Sequence, residues 1–78
     1  MEWRDPPPGE MFATWTLHYG RYRVASMTKC DAGVQLQLKQ HCYQYEWLSG
    51  RAASIAQGKR FAERWTRAYL QKHPIDDP

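Results

Sequence analysis

The period of the hydrophobic pattern changes once along this chain, from two to 3.6, and that change divides it into a sheet and a helix. From Met11 to Tyr19, the residues Ala13, Trp15, Leu17 and Tyr19 fall on one side and Thr14, Thr16 and His18 on the other. That alternation is the signature of a half-buried strand. Gly20 interrupts it, and Arg21 to Thr28 resumes it with Tyr22 and Val24 in phase, so a hairpin turning at Gly20 is expected. Asp31-Ala32-Gly33 reads as a second turn, because Gly33 can take the positive φ that a short connection needs. Val34, Leu36 and Leu38 alternate with Gln35, Gln37 and Lys39 as a third strand. Tyr43, Tyr45 and Trp47 alternate with Gln44 and Glu46, giving a fourth strand or a continuation of the third, with these aromatics placed in the core.

From Arg51 onward, Ile55, Gly58, Ala62, Trp65 and Tyr69 recur by three and four, the buried stripe of a helix, with Phe61, Ala68 and Leu70 widening it. Ser49 is a candidate N-cap, and Ser54 with Gln57 forms a capping box one turn further in. Pro74 ends the helix. The expected fold is α+β, a three- to four-stranded antiparallel β-meander packed against one C-terminal amphipathic α-helix. The helix stripe is expected on the Trp15, Leu17, Tyr22, Val24, Leu36 and Leu38 face. Residues 1–10, with Pro6 to Pro8, read as an extended tail, residues 11–73 as a single ββ(β)βα domain, and residues 74–78 as a short C-terminal tail.

A chain of 78 residues fills one core, and four Trp, five Tyr and two Phe supply the apolar area to fold it. Cys30 and Cys42 are too few for a disulfide framework. Together with His18 and His41 they lack the close cysteine spacing of a zinc site, so two buried small thiols and no metal or cofactor are expected. No glycine-rich phosphate loop, nucleophile elbow or paired acidic motif is present, and no enzymatic activity is expected. With no apolar run near the ~18 residues of a membrane span and no apolar N-terminal segment, a cytoplasmic protein is expected.

Charge is distributed unevenly. Between Arg51 and Lys72 six basic residues face Glu63 alone, whereas the rest of the chain is net acidic. Arg60, Arg64 and Arg67 recur with Gln57 and Gln71 on a stripe opposite the buried one, with Lys59 beside it, a ridge suited to phosphate or carboxylate. Glu63 lies four residues from both Lys59 and Arg67 and is positioned to neutralise part of it. The open sheet face is expected to carry Thr14, Thr16, His18, Arg21, Arg23, Gln35, Gln37 and Lys39, groups that hydrogen-bond phosphates and base edges.

The run Ser49-Gly50-Arg51-Ala52-Ala53-Ser54, followed by a helix with Ala56, Ala62 and Ala68, resembles a layout of small phage and mobile-element proteins. These join a Trp- and Tyr-rich meander through a Gly/Ser connection to one Ala-studded helix, and some anti-CRISPR proteins share the size and style. The resemblance implies a non-enzymatic inhibitor that docks on a host protein or ribonucleoprotein and blocks its nucleic-acid sites. The element order is also similar to the sheet-and-helix DNA-binding domains of some integrases. It is similar to the C-terminal part of the double-stranded-RNA-binding domain as well, but residues 1–10 hold no counterpart of that family's first helix, and only Arg51 stands at the start of the last helix. The expected contacts are Arg60, Arg64, Arg67, Arg51, Lys59, Arg21 and Arg23. The two alternatives are direct DNA or RNA binding through the helix ridge or the Arg21/Arg23 sheet face, and a small assembly subunit that oligomerises through an exposed strand edge.

Overall fold

The computed structural model describes residues 1–9, 13–31 and 33–75; Glu10, Met11, Phe12, Ala32 and the tail residues Asp76, Asp77 and Pro78 lie outside the described residues. Five antiparallel strands lie in sequence order across one sheet: β1 (Glu2–Arg4), β2 (Thr14–Tyr19), β3 (Tyr22–Cys30), β4 (Gly33–Leu38) and β5 (Leu48–Ala52). A 3₁₀ turn (Gln44–Glu46) precedes β5, and helix α1 (Ile55–Lys72) packs against β3, β4 and β5. The α+β meander with one C-terminal helix is therefore the fold, with one strand more than the sequence pattern predicted.

Both glycine turns form where expected. Gly20 has φ 59° and links β2 to β3, pairing Tyr19 with Tyr22 across a two-residue loop. Gly33 has φ 126°, and a Cβ there would stand 2.8 Å from the Ala52 carbonyl oxygen, so only glycine fits. Ser54 caps the helix as expected, but the return bond of the capping box goes to the residue before the cap and not to the N–H of Ser54 itself. Ser54 Oγ accepts from Gln57 N at 3.2 Å, while Gln57 Oε1 accepts from Ala53 N at 2.9 Å.

Two expectations are corrected. Glu2–Arg4 is not free tail but edge strand β1, paired with His18, Leu17 and Thr16. Half-buried Trp3 lies against the core, and its indole Nε1 donates to Glu63 Oε1 across sixty residues at 2.6 Å. Three residues are too few to show a period, so this strand leaves no local mark in the sequence. The fourth strand of the pattern is also displaced. Tyr43 and Tyr45 are 71% and 84% exposed around the 3₁₀ turn, and the next strand is Leu48–Ala52. Their period-two spacing is that of a short turn, and the chain pairs with β4 only after Trp47. Consequently Ser49 and Arg51 belong to β5, and the helix begins at Ile55 beneath the Ser54 cap.

The expected face of Trp15, Leu17, Tyr22, Val24, Leu36 and Leu38 does lie in the core, with a break in the alternation of β3. The β2–β3 register slips between Leu17 and His18, leaving Val24 as an extra residue: Leu17 faces Ala25, and His18 faces Arg23. Val24 and Ala25 are both fully buried in one cluster with Leu17, Leu38 and Ala62. The bulge thus switches phase, so that Tyr22 and Val24 before it and Ala25 and Met27 after it all face the helix. Gly58 and Ala62 let the helix descend onto this face. A Cβ on Gly58 would lie 2.9 Å from Met27 Sδ and 3.4 Å from Leu36 Cδ2, which accounts for glycine within a helix. Ile75 also packs on the core, so the C-terminal tail begins as a docked segment.

Candidate binding surfaces

Helix α1 presents its outer face to solvent. Gln57, Arg60, Phe61, Arg64, Arg67, Ala68 and Gln71 are all exposed, whereas Gly58, Ala62 and Thr66 are buried beneath. Phe61 and Ala68, expected to widen the buried stripe, are on the wet side instead, because the helix is held down by its narrow Gly58–Ala62–Thr66 line. Phe61 is 48% exposed and sits between Arg60 and Arg64 in an open groove of about 700 Å³ lined also by Gln57 and Trp65.

Glu63 does not neutralise this ridge. Its carboxylate is half-buried and accepts the Trp3 indole hydrogen, while Lys59 lies over the Trp3 ring, with Nζ 5.8 Å from the centroid. Lys59 is therefore drawn to the β1 side and is not part of the outer ridge. Among the described residues no carboxylate lies within ion-pair distance of Arg60, Arg64 or Arg67; the ion pair formed among them is Lys39–Glu46 at 3.7 Å. Sequence spacing correctly aligned the three arginines, but it could not show that a residue sixty positions away engages Glu63.

The other broad face is the uncovered side of the sheet. The register places Arg4, Thr16, Ser26, Gln37 and Ser49 in one cross-strand row, and Thr14, Thr28, Gln35 and Arg51 in the next. Glu2, His18 and Arg23 form a third. Thr14 and Thr28 share a hydroxyl contact at 3.2 Å, and His18 Nε2 lies 2.9 Å from Thr16 Oγ1. His18 titrates below its ordinary value, first through burial and then through the neighbouring cations Arg4 and Arg23, with Glu2 opposing.

Arg51 and Arg23 thus lie on the sheet, on the opposite side of the molecule from the helix ridge. Arg21 sits in the β2–β3 turn, with its guanidinium 5.4 Å from the Tyr22 ring centroid, and it makes a further interaction. Lys39 leaves the open face altogether. With φ 64°, left-handed for a non-glycine residue, it turns its ammonium toward Glu46 and the Tyr69 ring, 5.4 Å from the centroid. Arg4, Ser26, Thr28 and Ser49 join the face without having been expected there, because strand pairing and the bulge set their orientation.

A third cluster closes the end of the helix. Tyr69 stacks on Trp65 at 5.1 Å, meets His41 edge-on at 5.6 Å and His73 at 4.7 Å, and has Cys42 Sγ 4.0 Å from its hydroxyl. Burial and then Lys39 lower His41, and burial followed by the Cys42 contact raises Tyr69. Cys42 is half-buried here, whereas Cys30, expected to be a buried thiol, is exposed beyond the end of the core. Among the described residues no three His, Cys, Asp or Glu side chains converge to hold a metal, and no helix is long and apolar enough to cross a membrane. Tyr43 and Tyr45 stack in parallel at 5.7 Å and 5° on the turn before β5. No family model, curated protein or solved structure matches the chain.

Proposed function

We propose that the protein is a non-enzymatic binding module that docks through the outer face of α1 on an acidic surface of a host protein or ribonucleoprotein. The observation that carries this reading is Phe61, half-exposed between Arg60 and Arg64 on a face without a competing carboxylate among the described residues. Aromatic and arginine side chains are enriched at protein–protein contacts, where a desolvated ring anchors and forked guanidiniums pair with acids. A bare phosphate contact has no use for an exposed phenyl ring. A domain this small acts on its partner by covering surface, an inhibitory mode that needs no chemistry of its own, and the phage-type layout supports that outcome.

The test is affinity capture from a host lysate, with and without nuclease, followed by photo-crosslinking from position 61. A defined protein partner is expected to survive nuclease, to crosslink through an acidic segment, and to be lost with the triple change Arg60→Gln, Arg64→Gln, Arg67→Gln. Capture that persists in that folded variant, or a crosslink from position 61 to nucleic acid and not to protein, removes the reading.

A further inference from the structure

We infer that the open face of the sheet is a second, independent site that binds double-stranded DNA by lying in the major groove. This site lies on the side of the sheet away from α1, so it does not rest on the docking role of the helix.

Three observations converge on a duplex. The face carries Arg4, Arg23 and Arg51, all exposed, and Glu2 is the single carboxylate among the described strand residues. Apart from the exposed thiol of Cys30, none of its strand side chains is apolar, since the alternation and the bulge send every large hydrophobe of the strands to the helix side. Protein partners are held by apolar anchors, which this face lacks, whereas nucleic-acid interfaces are polar and basic. The charge complementarity therefore selects phosphate.

The arrangement across the strands then selects a groove. Arg4 is on edge strand β1 and Arg51 on edge strand β5, so four strand spacings of ~4.8 Å separate their strands by about 19 Å. A B-form major groove is about 12 Å wide and admits a two-stranded β-ribbon. With the β3–β4 ribbon in the groove, the edge arginines fall over the flanking phosphates. Thr28, Gln35 and Gln37 on that ribbon face the base edges between them. Amides and hydroxyls are the side chains that read adenine and other base edges there, and arginines at the rim fix register without reading sequence. The deep, narrow major groove of A-form RNA excludes such a sheet.

Two variants of equal charge separate the faces. Arg4→Gln, Arg23→Gln, Arg51→Gln alters the sheet, and Arg60→Gln, Arg64→Gln, Arg67→Gln alters the helix; each removes three positive charges from the same chain. Fluorescence anisotropy with a labelled 20-base-pair DNA duplex is measured across salt concentrations, with circular dichroism as the check on folding. Wild type is expected to bind with a log K against log salt slope of about −1.8, from about −0.9 for each of the two phosphates under Arg4 and Arg51. The sheet variant is expected to lose at least tenfold in affinity and most of that slope, and the helix variant to stay within threefold. Duplex binding that falls equally in both variants overturns the proposal, because net charge and not the sheet face then carries it. Absence of binding at low salt also overturns it, as does equal affinity for duplex RNA. Single-stranded DNA bound as tightly, with loss on Tyr43→Ala and Tyr45→Ala, assigns the binding to the stacked tyrosines and likewise overturns it.

Discussion

The outer face of α1 and the open face of the sheet each carry three arginines, and they differ in what lies between those arginines. On the helix, Arg60 and Arg64 bracket the exposed ring of Phe61, so charge is combined with an apolar anchor. On the sheet, Arg4, Arg23 and Arg51 bracket hydroxyls, amides and an imidazole. The difference comes from secondary structure. A helix stripe wide enough to hold Phe61 extends past the narrow line that the sheet can cover, whereas a pleated strand sends each side chain fully to one face or the other. The helix therefore leaves a hydrophobe among its arginines, whereas the strands put no large hydrophobe on the open face. Equal charge on two faces does not imply equal partners.

The strongest way to break this contrast is Trp3→Ala. Trp3 ties β1 to the helix and holds the Glu63 carboxylate away from the arginines. Its removal is expected to cost about 2 kcal/mol, less than a fully buried aromatic would, as measured by urea denaturation. It also frees Glu63 to pair with Arg67, so capture by the helix face should weaken beyond what stability explains. An unchanged midpoint with unchanged capture would show that the indole contact does not organise the ridge.

Phe61→Ala sharpens the comparison from the other direction. Because the ring is half-exposed, the melting temperature should move by less than about 2 °C, while affinity for the helix-face partner falls about tenfold, some 1.4 kcal/mol. Duplex DNA binding should not change. A large drop in stability would instead make Phe61 part of the core.

The smallest expected effect is on pH. His18 on the sheet face and His41 at the helix end both have folded values below the ordinary one, each led by burial. The unfolded chain therefore holds more protons than the folded one just below pH 6.5, so stability is complete above that value and declines as pH falls through the folded values. Denaturant midpoints should be lower at pH 5 than at pH 7.5. The double change His18→Asn, His41→Asn should flatten that difference, and an undiminished slope would assign it to other groups.

Legibility follows the range of the interactions. Alternation in Trp15-Leu17-Tyr19 and Val34-Leu36-Leu38, the glycine turns at 20 and 33, and the Ser54–Gln57 cap are local and were readable directly. So was the Arg60-Arg64-Arg67 stripe, because helical periodicity alone aligns it. Strand β1 depends on partners twelve to sixteen positions away, the Trp3–Glu63 contact on one sixty away, and the bulge at Val24 on a slip in pairing across the β2–β3 hairpin, and no local pattern marks any of them. Tyr43 and Tyr45 show the converse, a period of two without a strand, because a short turn can mimic alternation.

The sequence by itself therefore determined that a meander meets one helix and that the helix has an arginine stripe, since both are set by the repeat of the backbone. The tertiary structure alone decided that Arg51 and Arg4 share a face with Arg23, and that Glu63 is occupied by Trp3. It also decided that Phe61 stays in water. Those outcomes depend on strand register and on how closely Gly58 lets the helix approach, and register is fixed only when the whole core closes.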